Sequence, residues 1–295
     1  MRDQVVIFGS KGFIGSGLKD HLNSNGFNVI GVSRQDYDFL NSSEFTKKGT
    51  SIIQNSILIY AAGKHRQHGD TLDLYKDNIE IILNLLQAAN KAPPKRIIFL
   101  SSMEVYGRVE SGQHVTEKTK ITPDSFYAAG KFAQEQIFQV WARSKNIPVT
   151  CLRLPGIYGV NDQTTSVISK IFNSTVNKTE FMLSTDGNEE RDYISIGDLT
   201  ACITALILSN NIPSILNIGS GCSVSINFLI GLIENLTRNK VKLRQVNPGQ
   251  VGFDIQIDTS LLRANLPDFK FMTIEQGVAK YINEYNFKLQ NFVNL

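Results

Sequence analysis

Apolar and polar positions divide the chain into short unbroken apolar runs and longer stretches of helical spacing. The runs VVIF (5–8), NVIGV (28–32), SILIYAA (56–62), RIIFLSS (96–102) and VTCLRL (149–154) are continuous and rich in β-branched residues. Such strands are covered on both faces, as in a parallel sheet, whereas half-exposed strands alternate. Helical patterns lie between them: Ile14 to Asn23, the stretch IEIILNLLQAANK that follows Asn78, and Ala128 to Lys145. Pro93-Pro94 stops the second, and the turn residues Pro123-Asp124-Ser125 precede the third. The alternation predicts an α/β fold with a Rossmann-type doubly wound parallel sheet.

After about residue 155 the pattern loosens. Helical stretches near 163–173, 224–237 and 273–285 alternate with loops rich in Gly, Asn and Asp. A smaller, mixed α/β lobe made of separated segments is expected there. The predicted division gives residues 1–155, with roughly 190–218, to the sheet domain, and roughly 156–189 and 219–295 to the lobe.

Composition narrows the class. A chain of 295 residues, 42% hydrophobic and 19% charged, is that of a soluble globular protein with a sizeable core. A net charge of +3 with no Lys/Arg tract leaves no electrostatic footprint for nucleic acid. The start of the chain reads as a strand entering a glycine turn rather than as a leader, and no apolar run nears the roughly 18 residues of a membrane span. Cys151, Cys202 and Cys222 are odd in number and lack CxxC spacing, which predicts reduced thiols in a cytoplasmic protein. No ligand cluster has the spacing of a metal site.

Three stretches carry candidate chemistry. GSKGFIG sets Gly9, Gly12 and Gly15 between a strand and a helix, with Lys11, Phe13 and Ile14 among them. Bare backbone there admits a pyrophosphate to the N–H groups of a helix N-terminus, which predicts a dinucleotide site. At the end of the second strand, Ser33 and Arg34, with Lys11, suit the 2′-phosphate of NADP through charge-assisted hydrogen bonds. An NAD site favours an acid at that place, and Asp36 and Asp38 are near enough to keep NAD open. The reading leans to NADP. Finally, Tyr127 and Lys131 share a helix face, where an ammonium draws a phenol toward the range of proton transfer. Ser102 stands 25 residues before Tyr127, at the end of a strand.

With these residues in order, the chain resembles the extended short-chain dehydrogenase/reductase family, in its branch of nucleotide-sugar epimerases, dehydratases and reductases. GSKGFIG is similar to that family's cofactor loop, and Tyr60-Ala61-Ala62-Gly63 to the turn lining the nicotinamide side. The helix run after Asn78, SSMEVYG (101–107), YAAGK (127–131) and LRLPGIYG (152–159) resemble its later signatures. Gly187 through Ile194, followed by Asp198, resembles a segment of its substrate-binding lobe. The resemblance implies that Ser102 bonds the substrate oxygen, Tyr127 moves the proton, and Lys131 binds the nicotinamide ribose and lowers the phenol's pKa. It also implies that Ala61, Ala62 and Gly63 line the cofactor. Arg191 would meet a nucleotide phosphate, unless it forms an ion pair with Asp192 or Asp198.

The implied activity is hydride transfer on a nucleotide-linked sugar. The preferred reading is NADPH-dependent reduction of a 4-keto-sugar with Tyr127 as proton donor, and the alternative is an NAD-dependent 4-epimerase. A decarboxylase and a non-catalytic NADP-binding sensor remain further readings. Sugar 4,6-dehydratases carry an acid–base pair directly after the catalytic hydroxyl; here Met103 cannot supply a proton, which argues against dehydration. Glu104 is expected to contact substrate or to pair with a neighbour. His65 and His68 can reach substrate or merely face solvent. The apolar stripes at 78–89 and 132–141 suit either a homodimer or core packing.

Overall fold

The computed structural model describes residues 3–41, 50–64, 69–110, 112–162, 166–209, 211–247 and 249–293. The first half of the chain runs β1 (Gln4–Phe8), α1 (Phe13–Ser24), β2 (Asn28–Val32), α2 (Thr50–Ile53), β3 (Ile57–Tyr60), α3 (Leu72–Lys91) and β4 (Arg96–Ser102). A 3-10 turn (Met103–Tyr106), β5 (His114–Val115), α4 (Phe126–Lys145) and β6 (Val149–Leu154) follow. Then come β7 (Gly156–Tyr158), α5 (Val167–Val176), β8 (Glu180–Leu183), β9 (Glu190–Ser195), α6 (Ile196–Leu208) and β10 (Ile215–Asn217). The chain closes with β11 (Ser223–Ser225), α7 (Ile226–Thr237), β12 (Lys242–Gln245), β13 (Gln256–Ile257), α8 (Ser260–Asn265) and α9 (Ile274–Val293). Among the described residues no helix is long and apolar enough to cross a membrane.

Contacts divide the chain into two units. The first holds Met1–Gly107, Thr119–Leu154 and Thr200–Asn217; the second holds Arg108–Lys118, Pro155–Leu199 and Ile218–Leu295. Two segments differ from the sequence boundaries. Residues 108–118 join the second unit because β5 pairs with β13, and 190–199 join it because β9 pairs with β7 and β11.

In the first unit six strands form one sheet in the order β10-β6-β4-β3-β1-β2, with every neighbouring pair parallel. The five apolar runs are five of these strands. The four inner strands among them are buried almost along their length because helices cover both faces: Val5 to Phe8, Leu58 to Tyr60 and Ile97 to Leu100 are all at most 3% exposed, whereas β2, at the sheet edge, is buried only at Val32. Phe8, Tyr60 and Phe99 of the sheet and Phe138 of α4 form an aromatic core with ring centres 5.2 to 6.1 Å apart.

The sheet order also places the site. From β1 the chain moves to β2 on one side, then returns to β3 on the other side of β1. That reversal opens a crevice at the carboxyl ends of β1 and β3. Two capped helices deliver further groups to the sheet. Thr71 Oγ1 accepts from Leu74 N–H at the start of α3, and Ser125 Oγ accepts from Ala128 N–H at the start of α4. Helix α4 ends at Asn146, which takes a left-handed conformation.

The second unit is the smaller mixed lobe. It contains a three-stranded sheet, β11-β9-β7, and the parallel pairs β12-β8 and β13-β5. Its core gathers Tyr158, Ile168, Phe172, Leu229, Ile233, Val278 and Tyr281 from the strands and helices of that unit.

Candidate active site

At the end of β1 the chain turns through Gly9, whose φ of +94° is rarely open to a side chain. Gly9 N–H and Ser10 N–H both donate to Val32 O, at 2.8 and 3.1 Å, so the loop is tied to β2. There is no room beside it: a Cβ on Gly9 would lie 2.7 Å from Ala62 N and 2.8 Å from the Ala61 carbonyl. On Gly15 it would lie 2.1 Å from Gly9 O. The glycine loop, the first turn of α1 and the Ala61–Ala62 turn thus meet backbone to backbone.

Helix α1 begins after Gly12, which offers no side-chain cap, and its first turn holds no acidic residue. Orphan N–H groups at such a start suit an anion. The cradle therefore fits the pyrophosphate of a dinucleotide. Phe13 and Ile14 form the first turn itself, and Lys11 Nζ donates to Gln35 Oε1 just beyond β2.

Beyond β2, Ser33 is buried, and both its N–H and its hydroxyl donate to Asp36 Oδ2, at 2.8 and 2.6 Å. The Ser33 hydroxyl bond, with smaller pulls from Lys11 and Lys19, holds the Asp36 carboxyl below the ordinary aspartate range against a modest desolvation. Arg34 is exposed. An ionised carboxylate thus stands at the end of β2, bonded to the hydroxyl that the sequence offers to a phosphate.

The turn after β3 is fixed by a residue read in the sequence only as part of a helix signature. Asn78, buried on α3, accepts from Lys64 N–H at 2.6 Å and donates to Lys64 O at 3.0 Å. Its own carbonyl accepts from Gln134 Nε2 of α4 at 2.8 Å. This clasp holds Gly63 and its neighbours against both helices.

The three candidate catalytic residues sit on β4 and α4. Ser102 closes β4, and its Oγ accepts from Glu104 N–H at 3.2 Å, which leaves its proton to donate elsewhere. Tyr127 is in the first turn of α4, buried, with its N–H donating to Asp70 Oδ1 at 2.9 Å. Lys131 Nζ donates to Leu100 O at 2.9 Å and lies 5.1 Å from the Phe99 ring centre. Desolvation brings the Lys131 ammonium down to about 8, opposed by the charge of Glu135. Met103 is buried in the 3-10 turn, and Glu104 is half-buried beside it.

Arg191 lies on β9 in the second unit, its guanidinium 4.2 Å from the centre of the Phe253 ring. Arg108 lies 5.4 Å from the same ring. The neighbouring acids have their own work. Asp192 accepts from Ser220 Oγ and Gly221 N–H, both at 2.8 Å, and burial pushes its carboxyl up to about 6. Asp198 accepts from Met272 N–H at 3.3 Å. Among the described residues no group of three His, Cys, Asp or Glu is placed to hold a metal. His65 and His68 lie outside the described residues.

The family model described as "NAD dependent epimerase/dehydratase family" matches residues 5–219. An uncharacterized UDP-glucose epimerase of Bacillus subtilis (strain 168) is 24% identical over 267 residues, 81% of this chain and 84% of its own. A UDP-glucose 4-epimerase of Thermus thermophilus, solved in complex with NAD, matches with a TM-score of 0.85 at 19% identity, covering 96% of this chain and 99% of its own. A UDP-glucuronic acid 4-epimerase from Bacillus cereus, solved with UDP-glucuronic acid and NAD, matches at 0.83 and 20% identity, covering 96% and 99%. At such identities the structural likeness carries the fold alone.

Proposed function

The chain belongs to the NAD dependent epimerase/dehydratase family, and on that premise we propose that it epimerises a nucleotide-linked sugar at C4 with a retained NAD. The observation that carries this reading is the bond between Ser33 and Asp36. The Ser33 hydroxyl is engaged, and an ionised carboxylate beside it repels a 2′-phosphate while accepting well from a ribose hydroxyl. NAD retained through a redox-neutral cycle suits epimerisation, whereas a consumed reductant suits reduction.

The α1 first turn with Gly9, Gly12 and Gly15 would hold the pyrophosphate, Asp36 the ribose, and Ala61 to Gly63 with Lys131 the nicotinamide side. Bound there, NAD supplies hydride acceptance and return. Tyr127 takes the proton of the C4 hydroxyl and gives it back, and Ser102 donates to the same oxygen. Lys131 provides the positive field that draws the phenol toward neutral pH. Glu104 is the proposed contact to a sugar hydroxyl, and Arg191 to a nucleotide phosphate, which its planar fork suits. Met103, a buried thioether, donates no proton, so loss of water from the sugar is disfavoured. A homodimer through α3 and α4 belongs to the same proposal, with Leu83 and Val140 exposed on those helices.

NADPH-dependent reduction of a 4-keto-sugar is the second reading. It draws on Lys11 and the exposed Arg34, two cations at the end of β2. One experiment separates the two. Purified protein is denatured and any released cofactor identified, and the native protein is incubated with UDP-glucose and UDP-glucuronic acid without added cofactor. Released NAD and formation of the C4 epimer support the epimerase. Oxidation of added NADPH by a nucleotide-linked 4-keto-sugar supports the reductase, and activity in neither assay rejects both.

A further inference from the structure

One residue from Ser102, two opposite charges are buried side by side. Glu135 and Arg153 are 0% and 2% exposed and form a bidentate pair, Nε to Oε1 at 3.0 Å and Nη2 to Oε2 at 2.7 Å. Removing such a pair from water costs about as much as its attraction returns, and well-packed apolar side chains serve stability equally well. Its other hydrogen bonds give it a different purpose. Glu135 Oε1 also accepts from Ser101 Oγ at 2.6 Å, and Arg153 Nη1 donates to Tyr106 Oη at 2.8 Å. The Tyr106 hydroxyl donates onward to Asn217 Oδ1 at 2.7 Å. Ser101 immediately precedes Ser102, and Tyr106 closes the 3-10 turn that follows it. Glu135 stands one helical turn beyond Lys131, which itself grips the carbonyl of Leu100.

We propose that Glu135 and Arg153 are positioning residues of the hydride-transfer site, clamping the chain on both sides of Ser102 and setting a carboxylate one turn from the Lys131 ammonium. The proposal rests on the hydride-transfer reading above. Each residue acts through Ser102 or Lys131 rather than on substrate. A network of this kind holds a reacting group to the narrow tolerance that catalysis needs. The titratable and charged groups around it are Tyr127 on α4, Tyr106 in the 3-10 turn, and Cys151 and Arg153 on β6. Glu135 opposes the desolvation that lowers Lys131.

Glu135→Gln keeps the shape of the side chain and removes its charge. The expected variant is folded and binds cofactor, with KM nearly unchanged and kcat lower by roughly 10–100-fold. The Lys131 titration, followed by NMR on ¹³C-lysine-labelled protein and assigned with Lys131→Met, should move down by about one pH unit. Ser101→Ala leaves the ion pair intact and should lower kcat about tenfold without moving that titration. If Glu135→Gln does not fold, the double variant Glu135→Leu/Arg153→Met restores packing and carries the same two expectations. An active wild type whose folded variants keep both kcat and the Lys131 midpoint overturns the positioning role. A wild type that turns over no nucleotide-linked sugar sinks the hydride-transfer reading instead. The Lys131 midpoint, read without substrate, then decides alone: no shift overturns the proposal, and a shift upholds the action of Glu135 on Lys131.

Discussion

Lys131 Nζ stands 5.9 Å from the centre of the Tyr127 ring, one turn along the same helix. Its bond to Leu100 O ties that ammonium to β4, the strand that ends in Ser102. If Tyr127 moves the proton, Tyr127→Phe should lower kcat by about 10²–10⁴-fold. The cofactor released on denaturation should match that of the wild type, and equal turnover in the variant would remove the mechanism.

Lys131 has a stability signature separable from its chemistry. Folded, the ammonium titrates near 8, below its ordinary 10.5, because it is desolvated. Between those pH values the unfolded chain binds more protons than the folded one, so stability rises with pH across that window. Below it the buried ammonium costs on the order of 1–3 kcal/mol. Lys131→Met should therefore melt no lower than the wild type at pH 7, lack the rise between pH 8 and 10.5, and be inactive. Thermal melts across pH test this, and a variant much less stable at pH 7 would contradict it.

Asp36 should set cofactor choice. Asp36→Asn keeps an acceptor for Ser33 and removes the charge, so affinity for NADP relative to NAD should rise roughly tenfold. Competition binding to cofactor-stripped protein measures the ratio. An unchanged ratio would move the determinant to Arg34 and Lys11.

Gly9→Ala should be among the most damaging single changes in the first unit. It forces a side chain onto a φ of +94° and into the Ala61–Ala62 backbone. A loss of about 3 kcal/mol or more is expected in chemical denaturation, together with loss of bound dinucleotide.

Asp192 predicts a pH slope in the second unit. Its folded carboxyl titrates near 6, above the ordinary 3.8, because it is buried. The folded chain then holds the extra proton, so this contribution to stability is full below 3.8 and is lost as pH rises through 6. Asp192→Asn should lack that decline, and denaturation midpoints at pH 4 and pH 7 would show the difference.

Much of the first unit was legible because each central strand is an unbroken apolar run and each long helix has a stop. The glycine loop was legible for a related reason, its pattern being local, and the sequence likewise places Ser102 at the end of β4 and Tyr127 and Lys131 one turn apart on α4. Strand β10 and helix α6 were not read. The strand has three residues, too few to show a period, and the helix, IGDLTACITALIL, is too apolar to show a polar face. The engagement of Ser33 by Asp36 escaped because a side-chain bond across a turn leaves no pattern. Arg153 lies inside LRLPGIYG and Glu135 four residues beyond YAAGK, yet their pairing, 18 residues apart and between helix and strand, is a tertiary fact. The same holds for β5, whose partner strand lies more than a hundred residues away.

The cradle built from Gly9, Gly15, Ala61 and Ala62 has an evolutionary consequence. Its walls are main-chain atoms, which every residue type supplies, so drift elsewhere leaves its outline intact provided these few positions stay small. A chain can then exchange many of its side chains and still present the same cradle. Under the proposed function, cofactor choice hangs by contrast on a side chain, Asp36, at the end of β2. A change at that one position would then alter the preferred cofactor and leave the main-chain outline of the cradle as it is.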